Sequence, residues 1–172
     1  MSAPARVLLL AGSPSDLDLV LDCEETLAEL GIASEIRVLS AHRTPDEAAA
    51  CARGAEAAGF GAIVAFAGMA AHLAGVSAAH TLLPVIAVPI ASGALGGIDA
   101  AIASLQMPPG TPVAAVAIDG ARNGALLAAR ILAVSDPDLR ERLRDRTLRE
   151  RARYEPARIA AEIEKRRQGR RS

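Results

Sequence analysis

Five short apolar segments alternate with helix-like segments along this chain, and this alternation restricts the possible folds more than any other feature. The apolar segments lie at residues 5–12, 33–41, 61–68, 84–90 and 111–118. Continuous apolar runs of this length are typical of strands buried on both faces. Helical spacing of apolar residues fills the intervals, at residues 16–31, 45–59, 70–81, 97–106 and 121–134. Repeated strand–helix units predict a parallel sheet with helices on both sides.

Five units predict an open, doubly wound sheet, because a barrel of this kind needs eight. We therefore expect a three-layer α/β/α fold, flavodoxin-like or Rossmann-like, over residues 5–134. A charged helix from about residue 136 to 154 begins a C-terminal helical extension, which ends in a basic tail and spans residues 136–172. No internal repeat or low-complexity linker divides the sequence, so we expect a single domain over residues 1–172.

The uneven charge distribution argues against a nucleic-acid partner. Of the 19 basic residues, 13 lie from Arg140 onward, which leaves the body of the chain acidic. We interpret the tail "EKRRQGRRS" as a solvated helix end and frayed terminus, with nucleic-acid contact as the alternative. No run approaches the ~18 apolar residues of a membrane span, and no signal-peptide pattern is found. We therefore expect a soluble, cytoplasmic protein without a membrane partner.

Cysteine and histidine spacing gives no support for a metal site. Cys23 and Cys51 each fall in a predicted helix without a CxxC pattern, and we interpret them as small buried thiols in a reducing compartment. The three histidines, His42, His72 and His80, are 30 and 8 residues apart, which is not a convincing ligand set.

The turns that follow the strands are the candidate ligand site, since open parallel sheets bind ligands at the carboxyl ends of their strands. The first four turns read "GSPSD", "SAHRT", "AGMAAH" and "IASGALGG". They are rich in glycine, serine and hydrogen-bond donors, and we expect them to lie along one edge.

The first turn combines a helix start with spare polar groups. Ser13 is a plausible N-cap and Pro14 suits the first helical position, and these are structural roles. They leave Ser15 and Asp16 unexplained. A helix start after a parallel strand favours phosphate, and a carboxylate there accepts hydrogen bonds from ribose hydroxyls.

The second turn divides into two halves. Residues 44–47, "TPDE", match a capping box with proline at the first helical position. Ser40, His42 and Arg43 lie before the cap, on the predicted ligand edge. Arginine offers a fork of donors for phosphate, and histidine transfers protons near neutral pH.

The third turn contains small residues and a histidine. Gly68 allows close backbone approach to a ligand. His72 lies near a predicted helix start, either as a ligand contact or as a hydrogen-bonding group of the cap, and Leu73 follows it. We interpret His80, beside the next loop, as structural. No GxSxG or GxxxxGK[ST] motif is present, so neither a hydrolase elbow nor a Walker loop is supported.

The turns occur together with further segments in an order that resembles a known family. The segments are "GSPSD", "SAHRTP", "GMAAHLAG", "LPVIAVPI", "SLQMPPGTPVAAVAI" and "NGALLAARIL". Over roughly residues 5–134 they resemble the PurE family, the N5-carboxyaminoimidazole ribonucleotide mutases of purine biosynthesis.

The resemblance implies a flavodoxin-like fold, a homo-octamer with active sites between subunits, and no metal or organic cofactor. It implies transfer of the substrate's carboxylate from the exocyclic nitrogen to ring carbon 4, giving 4-carboxy-5-aminoimidazole ribonucleotide. A sister class carboxylates aminoimidazole ribonucleotide directly with carbon dioxide and tends to carry lysine after the motif histidine. Arg43 favours the mutase class. Two alternatives to the mutase remain: the direct aminoimidazole ribonucleotide carboxylase, and a non-catalytic nucleotide-binding domain.

The resemblance also implies roles for residues of the turns. The phosphate contacts would be Ser13, Ser15, Ser40 and Arg43. Asp16 would bind the ribose, and His42 would be the general acid and base. Gly68, His72 and Leu73 would line the pocket for the base and carboxylate.

The chain departs from the family pattern near these residues, where "HLAG" also replaces the usual "HLPG". Leu17 replaces a common aromatic residue, and Met69 adds bulk where a second glycine is usual.

Overall fold

The computed structural model describes residues 6–170, so residues 1–5 and 171–172 lie outside the description. The strands are β1 Arg6–Ala11, β2 Ser34–Val38, β3 Phe60–Gly68, β4 Val85–Ile90 and β5 Ala114–Ala115. A 3-10 turn at Pro14–Asp16 precedes the helices α1 Leu17–Glu29, α2 Pro45–Gly54, α3 Leu73–Ala78, α4 Ile98–Leu105, α5 Ala121–Leu132, α6 Pro137–Ala152 and α7 Pro156–Gly169. Each predicted strand and helix is present, and position 5 of the first predicted strand lies outside the described residues.

The five strands form one parallel sheet in the order β2-β1-β3-β4-β5. After β1 the chain passes outward to β2 and then returns to the other side of β1 as β3. This reversal leaves a crevice at the carboxyl ends of the inner strands. The predicted three-layer, flavodoxin-like fold is confirmed, whereas the division into residues 5–134 and 136–172 stays a prediction.

Side chains of β1 alternate between two cores because successive residues of a strand point to opposite faces. Val7, Leu9 and Ala11 pack into the core beneath α1 and α5, which Leu139 of α6 also enters. Leu8 and Leu10 belong to the second core, beneath α2 and α3. Helices on both faces explain why the strand reads as a continuous apolar run.

The last strand is much shorter than the expected residues 111–118. Only two residues of β5 pair regularly with β4. The carbonyl of Pro89 in β4 accepts a hydrogen bond from the Asp119 amide at 2.8 Å, so it points toward β5. The N–H and C=O of a strand residue point to the same side, and the N–H that proline lacks would therefore also have faced β5. A proline cannot donate to a neighbouring strand, and the regular ladder therefore stops short of it.

The C-terminal helices differ in how they contact the rest of the protein. The Arg142 guanidinium of α6 donates to the carbonyl of Leu30 at 2.8 Å, and Arg146 forms an ion pair with Glu29. In contrast, α7 has no buried residue. This helix covers residues 164–169 of the tail that we expected to fray; Arg170 follows its end, and residues 171–172 lie outside the description. Over residues 6–170, no helix has the length and apolarity needed to cross a membrane.

Two helical glycines provide a matched test of close packing. At Gly124 in α5, an added Cβ would lie 2.8 Å from Val88 Cγ2 and 3.3 Å from Val64 Cγ1. At Gly54 in α2, no atom lies within 4 Å of the added Cβ. We expect Gly124→Ala to lower the free energy of unfolding by about 1–3 kcal/mol, because α5 must move away from the sheet.

The Gly54→Ala control should be neutral or stabilising by up to about 1 kcal/mol, since alanine restricts the unfolded chain and fits the helix. The measurement is denaturant unfolding of both variants and the parent protein at equal concentration. Equal stability of the two variants would contradict the close-packing argument.

Candidate active site

One cavity of about 430 Å³ lies at the carboxyl edge of the sheet. This is a usual size for a small-molecule site. Its lining includes all nine residues that the sequence singled out: Ser13, Ser15, Asp16, Ser40, His42, Arg43, Gly68, His72 and Leu73. Gly12, Ala41, Ala67, Met69, Ala70 and Ser92 complete the lining. The structure thus brings three separate turns together around a single space.

The first turn is a hydrogen-bonded cluster of hydroxyls beside a carboxylate. Ser13 acts as the predicted N-cap, because its hydroxyl oxygen accepts from the Ser15 amide at 3.3 Å. The Ser15 hydroxyl lies 2.9 Å from Ser13 Oγ and 3.0 Å from Asp16 Oδ1, and it donates its one proton to either oxygen. Partial burial raises the pKa of Asp16, while bonds from Ser15 and the Ser13 backbone oppose that rise.

In the second turn, Ser40 organises the backbone and keeps a donor. Its Oγ accepts from the amides of His42 at 3.3 Å and Arg43 at 3.2 Å. The hydroxyl proton itself has no acceptor among the described residues and is available to a ligand. The Arg43 guanidinium is exposed and, within residues 6–170, has no carboxylate partner. This turn therefore presents an unpaired cation and a free hydroxyl donor to the cavity.

The predicted capping box is wrong in part. Thr44 occupies the N-cap position of α2 and Pro45 follows as the first helical residue, as expected. However, the Thr44 side chain makes no capping bond. Its hydroxyl instead accepts from the Ser40 amide at 2.9 Å and lies 3.1 Å from the Ser40 carbonyl, to which it donates. Threonine thus secures the turn that carries Ser40 rather than the helix start, since local side-chain bonds to the backbone compete with capping.

The two cavity histidines contact each other. His42 Nε2 lies 2.7 Å from His72 Nδ1, and the rings meet edge to face at 82°. At this distance one nitrogen donates and the other accepts, so a single proton lies between the rings. His72 immediately precedes α3. Of the two roles left open for His72, the geometry gives a ring contact at the cavity, and no side-chain capping bond is present.

In the third turn, Gly68 lies against Ser92 of the fourth turn. The Ser92 Oγ occupies the space where a Cβ on Gly68 would begin, so a side chain at position 68 would force that hydroxyl to rotate away. Sequence reasoning placed the fourth turn on the ligand edge but selected no residue from it. Ser92 is the polar group that was missed, and the one available signal was its position two residues after β4.

The remaining candidates lie away from the cavity. Cys23 and Cys51 are free and buried, as predicted, and burial raises the pKa of the Cys23 thiol to about 12. His80 Nδ1 lies 3.5 Å from the Arg53 guanidinium, outside the cavity. Within residues 6–170, no three His, Cys, Asp or Glu side chains are grouped as metal ligands.

Comparison with known proteins places the chain in a family. The sequence profile of the AIR carboxylases matches residues 6–153. A protein named N5-carboxyaminoimidazole ribonucleotide mutase from Pyrococcus horikoshii is 50% identical over 136 residues, which are 79% of this chain and 77% of the relative. A protein of the same name from Escherichia coli K12 is 47% identical over 144 residues, 83% of this chain and 85% of the relative.

This chain belongs to the AIR carboxylase family. The crystal structure of PurE from Treponema denticola has a TM-score of 0.80 and 29% identity, and the match covers 87% of this chain and 93% of that one. The resemblance inferred from the turn motifs is thereby confirmed.

Met69 is a departure from the family motif with a visible structural consequence. Its φ of 53° is in the left-handed region, where an L side chain is strained and glycine is not. The side chain lies over Gly93 of the fourth turn, with Met69 Cγ 3.5 Å from the position of an added Gly93 Cβ. The family member thus keeps the glycine-like backbone while carrying a large side chain.

Proposed function

We propose that this AIR carboxylase family member is an N5-carboxyaminoimidazole ribonucleotide mutase. The enzyme would convert that substrate to 4-carboxy-5-aminoimidazole ribonucleotide in purine biosynthesis. The observation that carries the proposal is the single cavity that joins a cationic, hydroxyl-rich end to a pair of histidines. The relatives of the same name support it.

The first two turns suit the phosphate. Hydroxyls of Ser13, Ser15 and Ser40 surround one end of the cavity, and Arg43 supplies a charge that no carboxylate in residues 6–170 neutralises. Charge-assisted hydrogen bonds to phosphate are among the strongest polar contacts that proteins make. Binding energy gained here lies far from the reacting atoms and holds the ring in place for reaction.

The rest of the cavity suits the ribose, the imidazole ring and the carboxylate, in that order away from the phosphate contacts. Asp16 accepts hydrogen bonds and lies in the first turn, next to the phosphate contacts, so we assign it to ribose hydroxyls. Gly68 offers exposed backbone and Leu73 an apolar surface against the ring, with His72 beside them. Small apolar residues such as Ala67 and Ala70 leave room for released carbon dioxide and limit the entry of water.

His42 carries the proton in the proposed reaction. As the bond between the exocyclic nitrogen and the carboxylate carbon breaks, its electron pair returns to nitrogen, which takes a proton from His42. Ring carbon 4 then attacks the carbon dioxide, and His42 removes the proton from that carbon. The proton is therefore recovered, and one histidine serves both steps.

The proposal is tested by supplying each possible carbon source separately. The mutase should turn over N5-carboxyaminoimidazole ribonucleotide at low bicarbonate, and aminoimidazole ribonucleotide plus bicarbonate should give little product. Product formation is followed by absorbance or by mass spectrometry. Turnover of aminoimidazole ribonucleotide with carbon dioxide as the preferred reaction would instead identify the direct carboxylase. Binding of the nucleotide without either turnover would indicate the non-catalytic domain.

His42→Asn should lower kcat by about 10²–10⁴, the usual contribution of a general acid–base group. Asparagine retains hydrogen-bonding capacity but does not carry a proton between steps. The matched control is His80→Asn, because His80 lies outside the cavity, and its kcat should equal that of the parent. Thermal unfolding should be the same for both variants. A kcat for His42→Asn within threefold of the parent would rule out His42 as the proton carrier.

We further propose that the enzyme acts as a homo-octamer in the cytoplasm, with the cavity near a subunit interface. Helix α4 and the turn before it expose an apolar stripe at three- and four-residue spacing. Its members are Leu95, Ile98, Ile102 and Leu105, each between 54% and 65% exposed. The stripe begins three residues after the cavity residue Ser92. Exposed, contiguous apolar surface of this kind is typical of protein interfaces.

Ile102→Asp should dissociate the assembly, because a charge in an apolar interface loses its solvation. The oligomer mass is measured by sedimentation equilibrium or mass photometry. Leu82→Asp is the control, since Leu82 is 96% exposed and lies outside the stripe. An unchanged oligomer mass for Ile102→Asp would contradict the assigned interface.

A further inference from the structure

We propose that Ser92 is a substrate-contacting residue of the fourth turn and that Asp119 is the positioning residue that holds it over Gly68. The proposal rests on the proposed mutase function for the identity of the substrate. The positions of the Ser92 and Asp119 side chains do not depend on that function.

The Ser92 hydroxyl is an unused polar group in the cavity wall. Ser92 lines the cavity, and its Oγ occupies the space where a side chain on Gly68 would begin. Within residues 6–170, this hydroxyl has no hydrogen-bond partner. A hydroxyl placed this closely over a glycine, with its donor free, is available to a ligand that covers Gly68.

The sheet order decides which part of the substrate Ser92 meets. The phosphate contacts follow β1 and β2, whereas Ser92 follows β4, which is separated from β1 by β3. Neighbouring strands are about 4.8 Å apart, so the β4 turn lies roughly 10 Å along the edge from the β1 turn. Ser92 therefore faces the ring end of the nucleotide. A hydroxyl there is suited to donate to a carboxylate oxygen, on the side of the ring away from the phosphate.

Asp119 secures the turn that carries Ser92. Its carboxylate Oδ1 accepts from the amide of Ala91 at 2.9 Å, and its own amide donates to the Pro89 carbonyl at 2.8 Å. Asp119 thus bonds to the residues one and three positions before Ser92. The following Gly120 accepts no side chain, because a Cβ there would lie 2.7 Å from the Ala117 carbonyl oxygen.

Backbone strain is located on both sides of the same turn. Within residues 6–170, the non-glycine residues with positive φ are Met69, at 53°, and Asp119, at 55°. Met69 packs over Gly93, and Asp119 bonds to Ala91, so the two residues contact the sequence neighbours of Ser92 on either side. Strained residues persist where the surroundings over-determine them, and they cluster at functional sites. Both conformations here serve to fix residues 91–93.

Ser92→Ala should lower kcat/KM for N5-carboxyaminoimidazole ribonucleotide about ten- to a hundredfold, the usual effect of losing a hydrogen bond to a charged group. The affinity of the Ser92→Ala variant for ribose 5-phosphate, measured by calorimetry, should stay within twofold of the parent, because this probe lacks the imidazole ring and its carboxylate. In contrast, Arg43→Ala should lower the affinity for ribose 5-phosphate, because Arg43 is assigned to the phosphate. A kcat/KM for Ser92→Ala equal to that of the parent overturns the role of Ser92.

Two variants of Asp119 separate its carboxylate from its backbone conformation. Asp119→Gly accepts positive φ without strain but removes the acceptor for Ala91. Asp119→Asn keeps an oxygen acceptor and a residue type that tolerates this conformation. We expect Asp119→Gly to lower kcat/KM at least fivefold and Asp119→Asn to restore it. In the Ser92→Ala background, Asp119→Gly should have less than a twofold further effect, because both changes act through one hydroxyl.

Hydrogen exchange gives a readout that does not depend on the reaction. In Asp119→Gly, amide exchange in the peptide spanning residues 89–95 should be at least fivefold faster than in the parent, and Asp119→Asn should match the parent. Unchanged exchange in Asp119→Gly overturns its positioning role. If the parent protein has no mutase turnover, the proposed function fails, while the exchange result still decides whether Asp119 holds the turn.

Discussion

Parallel pairing of β1 with both β2 and β3 is the constraint on which the rest of the structure depends. Because all strands point the same way, every strand ends at one edge, and the reversal of strand order about β1 opens a crevice there. Three turns separated by as many as 60 positions in the sequence meet at this crevice. The site residues need no long loops to reach one another, since the sheet spacing of about 4.8 Å already brings the turns together.

Close approach of backbone to side chain shapes the site as much as the polar groups do. Glycine at position 68 allows Ser92 Oγ to lie where a side chain would otherwise begin. Met69 has a glycine-like φ despite its size, so the turn geometry is maintained against a local cost of about 1–2 kcal/mol. Such a cost is offset by the packing that surrounds the turn, and it indicates that the position of residues 68 and 69 matters to the site.

Much of the fold and of the site was predictable from the sequence, because the spacing of apolar residues and the positions of turn-forming residues are local signals. Continuous apolar runs gave the strands, and glycine, proline and serine gave the turns that hold His42 and Arg43. The rest depends on contacts between distant segments. The length of β5 depends on Pro89 of the neighbouring strand, and the bond of Thr44 depends on the path of its turn. The position of Ser92 after β4 was a sequence signal, but its place over Gly68 depends on how two separate turns pack.

The histidine pair suits a reaction without net proton transfer. In the proposed reaction the exocyclic nitrogen gains one proton and ring carbon 4 loses one, so the site gives up a proton in the first step and recovers one in the second. A 2.7 Å contact between two imidazole nitrogens holds one proton. Two facing N–H groups would repel each other, and so would two facing lone pairs, so the two rings adopt complementary tautomers. The contact with His72 therefore fixes the orientation of the His42 ring, which in the proposed reaction has to reach first the exocyclic nitrogen and then ring carbon 4.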